Sequence, residues 1–379
     1  MKIKWIAFLI AIVAFFVYRA TSPGETPYNY FSLLAQSFSE GQITISESGR
    51  HLNELIPAEM GRFYVPYAPM PALILIIPSL VSSEIVPQTF YSQLIAAILV
   101  YVSILTSHEI SSSKKVSIWI GLLTAFGSGF WYLASVGSSW YMGQLVGLTF
   151  LTFAIYAKVK KLPTIYIGIF LGCAYLARPH LLLSLPFFLD LNKGLVHQMV
   201  LIGIGILPAL AFNNWYNFVR FGAFYDKGYE LIPGVLDEPW YSKGIFHYSY
   251  IPRQLRNMLF SFPAQTNTFP YLIPRLGGMA YWLTTPAILL LIKTRLNREN
   301  MQAIVAIALV LLPVLMHGSP GSTQFGFRYA LASMPFILYL LTHILKTRLS
   351  LLARFLILIS IVINAWGVVM IHIVGNFTY

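Results

Sequence analysis

Twelve apolar stretches recur along the chain, near 5–18, 70–83, 88–107, 116–135, 140–157, 164–177, 180–190, 198–216, 278–292, 302–316, 327–345 and 351–373. A straight membrane span needs about 20 residues, and several of these stretches are shorter. Pro-Met-Pro at 69–71 and Ala-Arg-Pro-His at 177–180 interrupt the pattern. Proline removes a helix hydrogen bond and clashes with the preceding turn, so half-helices or kinked helices are expected there. If every stretch crossed, the loops would not alternate consistently between two sides, and 70–83 is therefore expected to be a non-crossing or re-entrant piece. The pattern predicts an all-α polytopic membrane protein with about 11–13 transmembrane helices. The first stretch follows Lys2 and Lys4 and has no small-x-small cleavage site after it, the form of an uncleaved signal anchor with a cytoplasmic N-terminus. Two long loops, about 19–69 and 217–275, share one side. In the first, Thr26 is expected to cap a helix that starts at Pro27. Phe31, Leu34, Ala35 and Phe38 then follow at helical spacing up to Gly41, which predicts a helix lying in the membrane interface.

Composition sharpens this picture. Hydrophobic residues make up 57% of the chain, charged residues only 10%, and the mean hydropathy is +0.69, far from the roughly 25% charged residues of soluble proteins. A net charge of +12 would suggest nucleic acid in a soluble chain. Here no basic stripe, zinc spacing or stacking platform accompanies it, so nucleic-acid binding is not expected. The single cysteine, Cys173, lies in an apolar stretch, which excludes an intrachain disulfide and reads as a small core residue. The two kinds of cation are also sorted. Loops on one side carry Lys114, Lys115, Lys158, Lys160, Lys161, Lys193, Lys293, Arg295, Lys346 and Arg348, the mark of a cytoplasmic face. The alternate loops carry Arg19, Arg50, Arg62, Arg178, Arg220, Arg253, Arg256, Arg275 and Arg328, with only Lys227 and Lys243 beside them. A positive-inside bias alone would leave those loops poor in both residues. Arginine holds phosphate through a planar, permanently charged, two-pronged donor set, so the asymmetry points to an outward-facing site for a phosphate-bearing ligand.

Most of the acids, including Glu25, Glu40, Glu47, Glu54, Glu59, Asp226, Glu230, Asp237 and Glu238, fall in the two long outer loops. Glu25 is the leading general base, since it sits just past the first span and before a predicted helix N-terminus that would keep its carboxylate ionised. A capping or solvated glutamate is the alternative reading, and Glu54 and Glu59 are its rivals. Arg178 is flanked by apolar residues and followed by Pro179, where a helix would break and a site open. Arg328 begins a span after the flexible Gly318-Ser-Pro-Gly321 run, and Arg275 precedes Gly277-Gly278. Such cations need water, a carboxylate or a lipid phosphate. The histidines show no i,i+4 pair, so zinc is not expected, and Asp237-Glu238 reads better as a solvated turn than as a cation site. No phosphate-binding loop, dinucleotide fingerprint or nucleophile elbow is present. Trp131-Tyr132, Trp140-Tyr141 and Phe224-Tyr225 fit an aromatic belt or, alternatively, platforms for sugar faces.

Five stretches, in order, resemble the GT-C class of membrane glycosyltransferases, which includes protein O-mannosyltransferase-like and aminoarabinose-transferase-like enzymes. They are Ser22-Pro-Gly-Glu-Thr-Pro-Tyr-Asn-Tyr-Phe-Ser-Leu-Leu-Ala35 with Gly41; Tyr64-Val-Pro-Tyr-Ala-Pro-Met-Pro71; Leu171-Gly-Cys-Ala-Tyr-Leu-Ala-Arg-Pro179; Asn217-Phe-Val-Arg-Phe-Gly222 with Gly228-Tyr229; and Gln324-Phe-Gly-Phe-Arg-Tyr329 with Pro335. The last two look most like bacterial members of family 39 type. The likeness extends over essentially the whole chain, 1–379, and implies one transmembrane GT-C domain with interfacial helices in its first outer loop. It implies a hexosyl or pentosyl transferase of the cell membrane that uses a polyprenyl-phosphate-linked sugar as donor. The acceptor would be a hydroxyl of a glycan, lipid or protein, attacking at the outer face with inversion. By position it gives Glu25 the base role, Arg178 and Arg328 the phosphate roles, and Arg275, Tyr28 and Gln324 further substrate contacts, with no metal ligand assigned. Where the class often has an Asp or paired acid in the first loop this chain has Gly24-Glu25, and Ala332 stands where an Asp is frequent. A transporter or flippase of lipid-linked sugars is the competing reading. It would show charges in mid-span and duplicated halves, and no repeat at a fixed period is visible in the sequence.

Overall fold

The computed structural model describes the chain except Met1, Glu47, Ser48, Ser83, residues 191–193 and Arg348, so Glu47, Lys193 and Arg348 lie outside the described residues. In chain order it has α1 (Ile3–Ala20), α2 (Tyr30–Ser39), α3 (Met70–Val81), α4 (Gln88–Ser111), α5 (Lys114–Phe126), α6 (Phe130–Val136), α7 (Ser139–Val159), α8 (Thr164–Ala177), α9 (Leu185–Phe188) and α10 (Leu195–Phe221). After a long loop follow α11 (Ile251–Phe260), α12 (Tyr281–Thr284), α13 (Arg298–Met316), α14 (Met334–Thr347) and α15 (Leu351–Val368). Two small antiparallel pairs join them: β1 (Ile56–Pro57) with β2 (Phe63–Tyr64), and β3 (Ala264–Gln265) with β4 (Leu272–Ile273).

Among the described residues seven helices are long and apolar enough to cross a membrane, and α5 with α6, bent by 46° at a short break, would make an eighth if the pair is one span. Three shorter segments join the same two ends of the bundle: α8, the 3₁₀ run Pro179–Ser184 with α9, and α12 with the 3₁₀ run Pro286–Lys293. The long apolar helices among the described residues thus number seven or eight, fewer than the 11–13 expected, because several of the apolar stretches fold as short or broken helices. With 12 residues, α3 is one of the shorter apolar helices and is not among the candidate spans. The chain leaves for α3 from Tyr67–Ala68, and α4 starts at Gln88, whose amide binds the Tyr28 and Gly137 carbonyls at that same end.

The core is built on α4, α7 and the span Arg328–Lys346, which are mostly buried, while α1, α10 and α13 keep most of their surface outward. Small residues set the closest approach. Gly168 and Gly172 on α8 face Gly205 and Ala209 on α10, the spacing that lets backbones touch inside a bilayer. A Cβ on Gly205 would stand 2.5 Å from the Ile165 carbonyl oxygen, and one on Gly168 2.2 Å from that of Ile202. Short, capped turns close the lysine-bearing end. Ser113 accepts the Val116 N–H to start α5, Asn297 the Asn300 N–H for α13, and Ser350 the Ala353 N–H for α15, each satisfying a free helix-terminal donor.

The first long loop departs from expectation. Thr26 is not a helix cap; its hydroxyl accepts the Tyr28 N–H at 3.2 Å in a local turn, and the helix begins only at Tyr30. Nor does α2 lie half-exposed in an interface, since Tyr30, Phe31, Leu33, Leu34 and Ala35 are all buried against the bundle. The second loop is shifted as well, because α10 runs on to Phe221 and the next span starts at Tyr281. Arg220 explains the extra turns of α10. Its guanidinium donates to the Val65 carbonyl at 2.7 Å and the Asn217 side chain at 2.8 Å, and stacks 3.7 Å from the Tyr216 ring.

Gly205→Leu should wedge α10 from α8. Overpacking of this kind costs about 1–3 kcal/mol, so thermal unfolding of the detergent-purified variant is expected at a lower Tm than wild type, whereas Gly203→Leu, at a position open to the outside, leaves it unchanged.

Candidate functional site

A cavity of about 380 Å³ opens at the end of the bundle where α7 starts and α8 and α13 finish. Its walls come from the first turns of α7, the break after α8, the end of α13, the start of the Arg328–Lys346 span, and loop residues near 66–68, 226–230 and 245–246. Arg178 lies at the α8 break. Pro179 disfavours the helical conformation for the residue before it, and Arg178 takes φ −149°, ψ 97°, which swings its side chain toward α7. There Gly143 and Gly147 leave a flat face, and a Cβ on Gly143 would lie 3.7 Å from the Arg178 Nε. The guanidinium donates to the Trp140 carbonyl, while its Nε is buried without a partner.

Arg328 stands opposite, 7% exposed. Gln324 fixes it: its side-chain oxygen accepts the Arg328 N–H at 3.0 Å while its amide binds the Pro320 and Gly277 carbonyls. Gln144 holds the Arg328 carbonyl at 2.6 Å. The guanidinium rests over the Tyr141 and Tyr329 rings at 5.0 and 4.8 Å, and its Nε too is buried and unpartnered. Among the described residues neither arginine forms an ion pair with a carboxylate; the pair found is Lys160 with Glu109, at the other end of the bundle.

Two cavity-wall side chains, Tyr67 and Trp140, converge on Glu54. Its Oε2 accepts from the Tyr67 hydroxyl and from the Trp140 Nε1 at 3.0 Å, and its N–H donates to the Tyr30 hydroxyl at 3.1 Å. Burial pushes its pKa above the ordinary glutamate value, and the two hydrogen bonds and the Arg328 charge only partly oppose this. His317, among the rings of Tyr229, Tyr241, Phe246 and Tyr329, also lines the cavity and binds the Ser319 carbonyl at 2.9 Å through Nδ1. His180 lies beside Arg178 with its Nε2 buried and unpartnered, and Asp226, Lys227 and Glu230 form part of the opposite wall.

No protein-family model matches this sequence, and no curated protein matches it either. Among solved structures, it is similar to ArnT from Cupriavidus metallidurans, crystallised bound to undecaprenyl phosphate, with a TM-score of 0.53 at 13% identity. That match takes in 92% of this chain and 61% of the ArnT chain, so the present chain spans less than two thirds of its length. The chain has the GT-C fold.

Within this GT-C bundle the sequence-derived residues separate. Arg178 and Arg328 share the cavity. Tyr28 borders it indirectly: its ring packs 5.0 Å from Trp140, and its carbonyl accepts from Ser139 and Gln88. Gln324 is fully buried, with both ends of its amide spent on backbone. Arg275 is exposed in a loop whose backbone pairs with Thr378, outside the cavity lining. Glu25 lies elsewhere too. Its Oε1 accepts the Thr89 N–H at 2.6 Å, capping the first turn of α4, and it lines a separate, open cavity of about 490 Å³ with Arg19, Ser22, Gly24, Pro87 and Phe90. Glu54 was only a rival in the sequence, because the contacts that draw it to the site reach from 54 to 30, 67 and 140, at no local spacing.

Gln324→Leu should leave the buried Arg328 N–H without its acceptor and two carbonyls without their donor. A cost of about 1–3 kcal/mol follows, readable as a lowered Tm, while Gln324→Glu, which keeps the acceptor, is expected to lose less.

Proposed function

We propose that this chain is an integral-membrane, inverting glycosyltransferase that moves a sugar from a polyprenyl-phosphate carrier to an acceptor hydroxyl on the extracytoplasmic face. The observation that carries this reading is the pair of cavity guanidiniums, each with a buried, unpartnered Nε and, among the described residues, no ion pair to a carboxylate. A desolvated cation is costly unless an anion answers it, and a phosphate oxygen set fits the planar donor fork. The GT-C fold favours a lipid-borne phosphate, and ArnT, which shares that fold, was crystallised with such a lipid. The lysines at the opposite end, Lys114, Lys115, Lys158, Lys160 and Lys161, support an extracytoplasmic cavity by the positive-inside bias.

In this reading Glu54, rather than Glu25, takes the acceptor's proton. Its carboxylate is bound to two cavity-wall side chains and lies in the field of Arg328, whereas that of Glu25 is engaged by the Thr89 N–H. The freed oxygen forms a bond to the anomeric carbon from the face opposite the phosphate. The carbon–oxygen bond to the phosphate breaks, and its electron pair stays on the phosphate, where Arg178 and Arg328 stabilise the charge. Tyr329, Tyr229 and Trp140, on the cavity wall, offer ring faces to the sugar.

Glu54→Gln is expected to abolish sugar transfer in isolated membranes at unchanged protein abundance, and Glu25→Gln to retain most of it; the reverse result would return the base role to Glu25. Because the ionised form of Glu54 is the active one and burial raises its pKa, kcat/KM should fall as pH drops through a value above the roughly 4.3 of a free glutamate, and a profile flat down to that value would count against it.

Arg178→Lys should lose nearly as much activity as Arg178→Ala. Replacing the fork by a point charge removes a charge-assisted contact worth about 1.5–3 kcal/mol, roughly ten- to a hundredfold in rate; a lysine variant as active as wild type would reduce Arg178 to a simple charge.

A further inference from the structure

The stretch between Glu238 and Glu299 contains no acid, and its part on the cavity side carries Lys243, Arg253, Arg256 and Arg275. That part folds as α11 followed by the β3–β4 hairpin. Along α11, Arg253 and Arg256 are exposed on one face, three residues apart, while Gln254 between them is fully buried. Four aromatic rings project outward from the same region: Phe260 is 66% exposed, Phe262 52%, Phe269 84% and Tyr271 61%. Single exposed apolar residues are ordinary, but four in one short segment are not.

This segment is tied to the end of α13, a candidate membrane span, because Gln254 and Arg253 on α11 bind the His317 and Gly318 carbonyls just past Met316. The Ala280 N–H donates to the Ser261 carbonyl at 2.7 Å, and the Trp282 Nε1 to the Leu259 carbonyl at 2.9 Å. The end of α11 is therefore also bonded to the start of α12. Basic and aromatic residues with no acid, held at that level, match the composition of an interfacial element.

We propose that α11 and the β3–β4 hairpin form a foot inserted in the leaflet on the cavity side. Phe260, Phe262, Phe269 and Tyr271 enter the headgroup–acyl boundary, and Arg256 and Arg275 pair with the phosphates of anionic phospholipids. The foot also holds the site: Gln254 donates to the His317 carbonyl at 2.7 Å, and Arg253 donates to the Gly318 carbonyl, so lipid engagement steadies the loop that carries His317. This inference rests on the membrane spans and stands whether or not the cavity transfers sugar.

The test uses the full chain in nanodiscs, with a fluorophore on Phe269→Cys or Phe262→Cys in a Cys173→Ala background and a control label on Asp237→Cys. The expected result is strong quenching of the labels at 269 and 262 by lipid carrying a nitroxide near the headgroup, with little quenching by aqueous iodide, and the opposite at 237. Iodide quenching at both foot positions equal to that at 237 overturns the proposal. Nitroxide-labelled phosphatidylglycerol should quench these labels better than labelled phosphatidylcholine, and that preference should fall about fivefold for each of Arg256→Gln and Arg275→Gln, the equivalent of about 1 kcal/mol per arginine at an anionic surface. Equal quenching by the two lipids in the wild-type protein overturns the choice of an anionic headgroup.

Discussion

Two guanidinium groups facing one cavity, neither ion-paired to a carboxylate among the described residues, are the constraint around which this bundle is arranged. In a soluble protein such a pair would draw in water or an acid. Here the surrounding elements keep acids off the guanidiniums while fixing the arginines themselves. Pro179 favours the α8 break that turns Arg178 inward, and Gly143 and Gly147 clear the wall it lies against. Gln324 and Gln144 hold the backbone of Arg328 from two sides. In the proposed reading, the cavity is thus preorganised for negative charge, the arrangement in which electrostatic stabilisation costs no reorganisation.

Arg220 shows what a structural arginine looks like in the same chain. Its donors reach the Tyr216 and Val65 carbonyls and the Asn217 side chain, and its plane stacks on Tyr216 and Phe221. None of its side-chain nitrogens is left buried and unpartnered. It stitches α10 to the loop before α3 and asks for nothing further. Arg178 and Arg328 are held less completely through their side chains and more through their backbones, so their charge remains available. The same contrast separates the two acids: Glu25 has its carboxylate on a helix end, whereas Glu54 has one oxygen bound to Tyr67 and Trp140 beside the cavity and carries a raised pKa.

Much of this was legible in the sequence because it is local. Apolar length gave the spans, the Ala-Arg-Pro-His break located Arg178, and a span starting after Gly318-Ser-Pro-Gly321 located Arg328. The apolar stretch at 70–83, expected not to cross, folds as a 12-residue helix, shorter than the candidate spans. What could not be read were contacts between distant segments. Glu54 acquires its surroundings from Tyr30, Tyr67 and Trp140, and Glu25 meets α4 through Thr89, 64 positions away. Propensity also misled at Thr26-Pro27, a good helix start on local rules. Burial of Tyr30, Phe31 and Leu34 decides where α2 begins instead, and Pro27 is left in the turn before it.

The sorting of lysine and arginine to opposite ends of the bundle then has two separate causes. At the end with short capped turns, the cations need only be positive and well hydrated; lysine, a compact charge on a flexible stem, meets that need, and the Lys160–Glu109 pair there is exposed. At the cavity end the cation must survive partial desolvation, stay charged, lie flat on rings such as Tyr141 and Tyr329, and present several donors in fixed directions. An ammonium meets none of the last three requirements well, because burial depresses its pKa and its donors rotate freely. Topology rules ask for charge at one end, and the cavity asks for geometry at the other. A chain that must satisfy both would come to separate its two cations in this way even if the total charge on each side were the same.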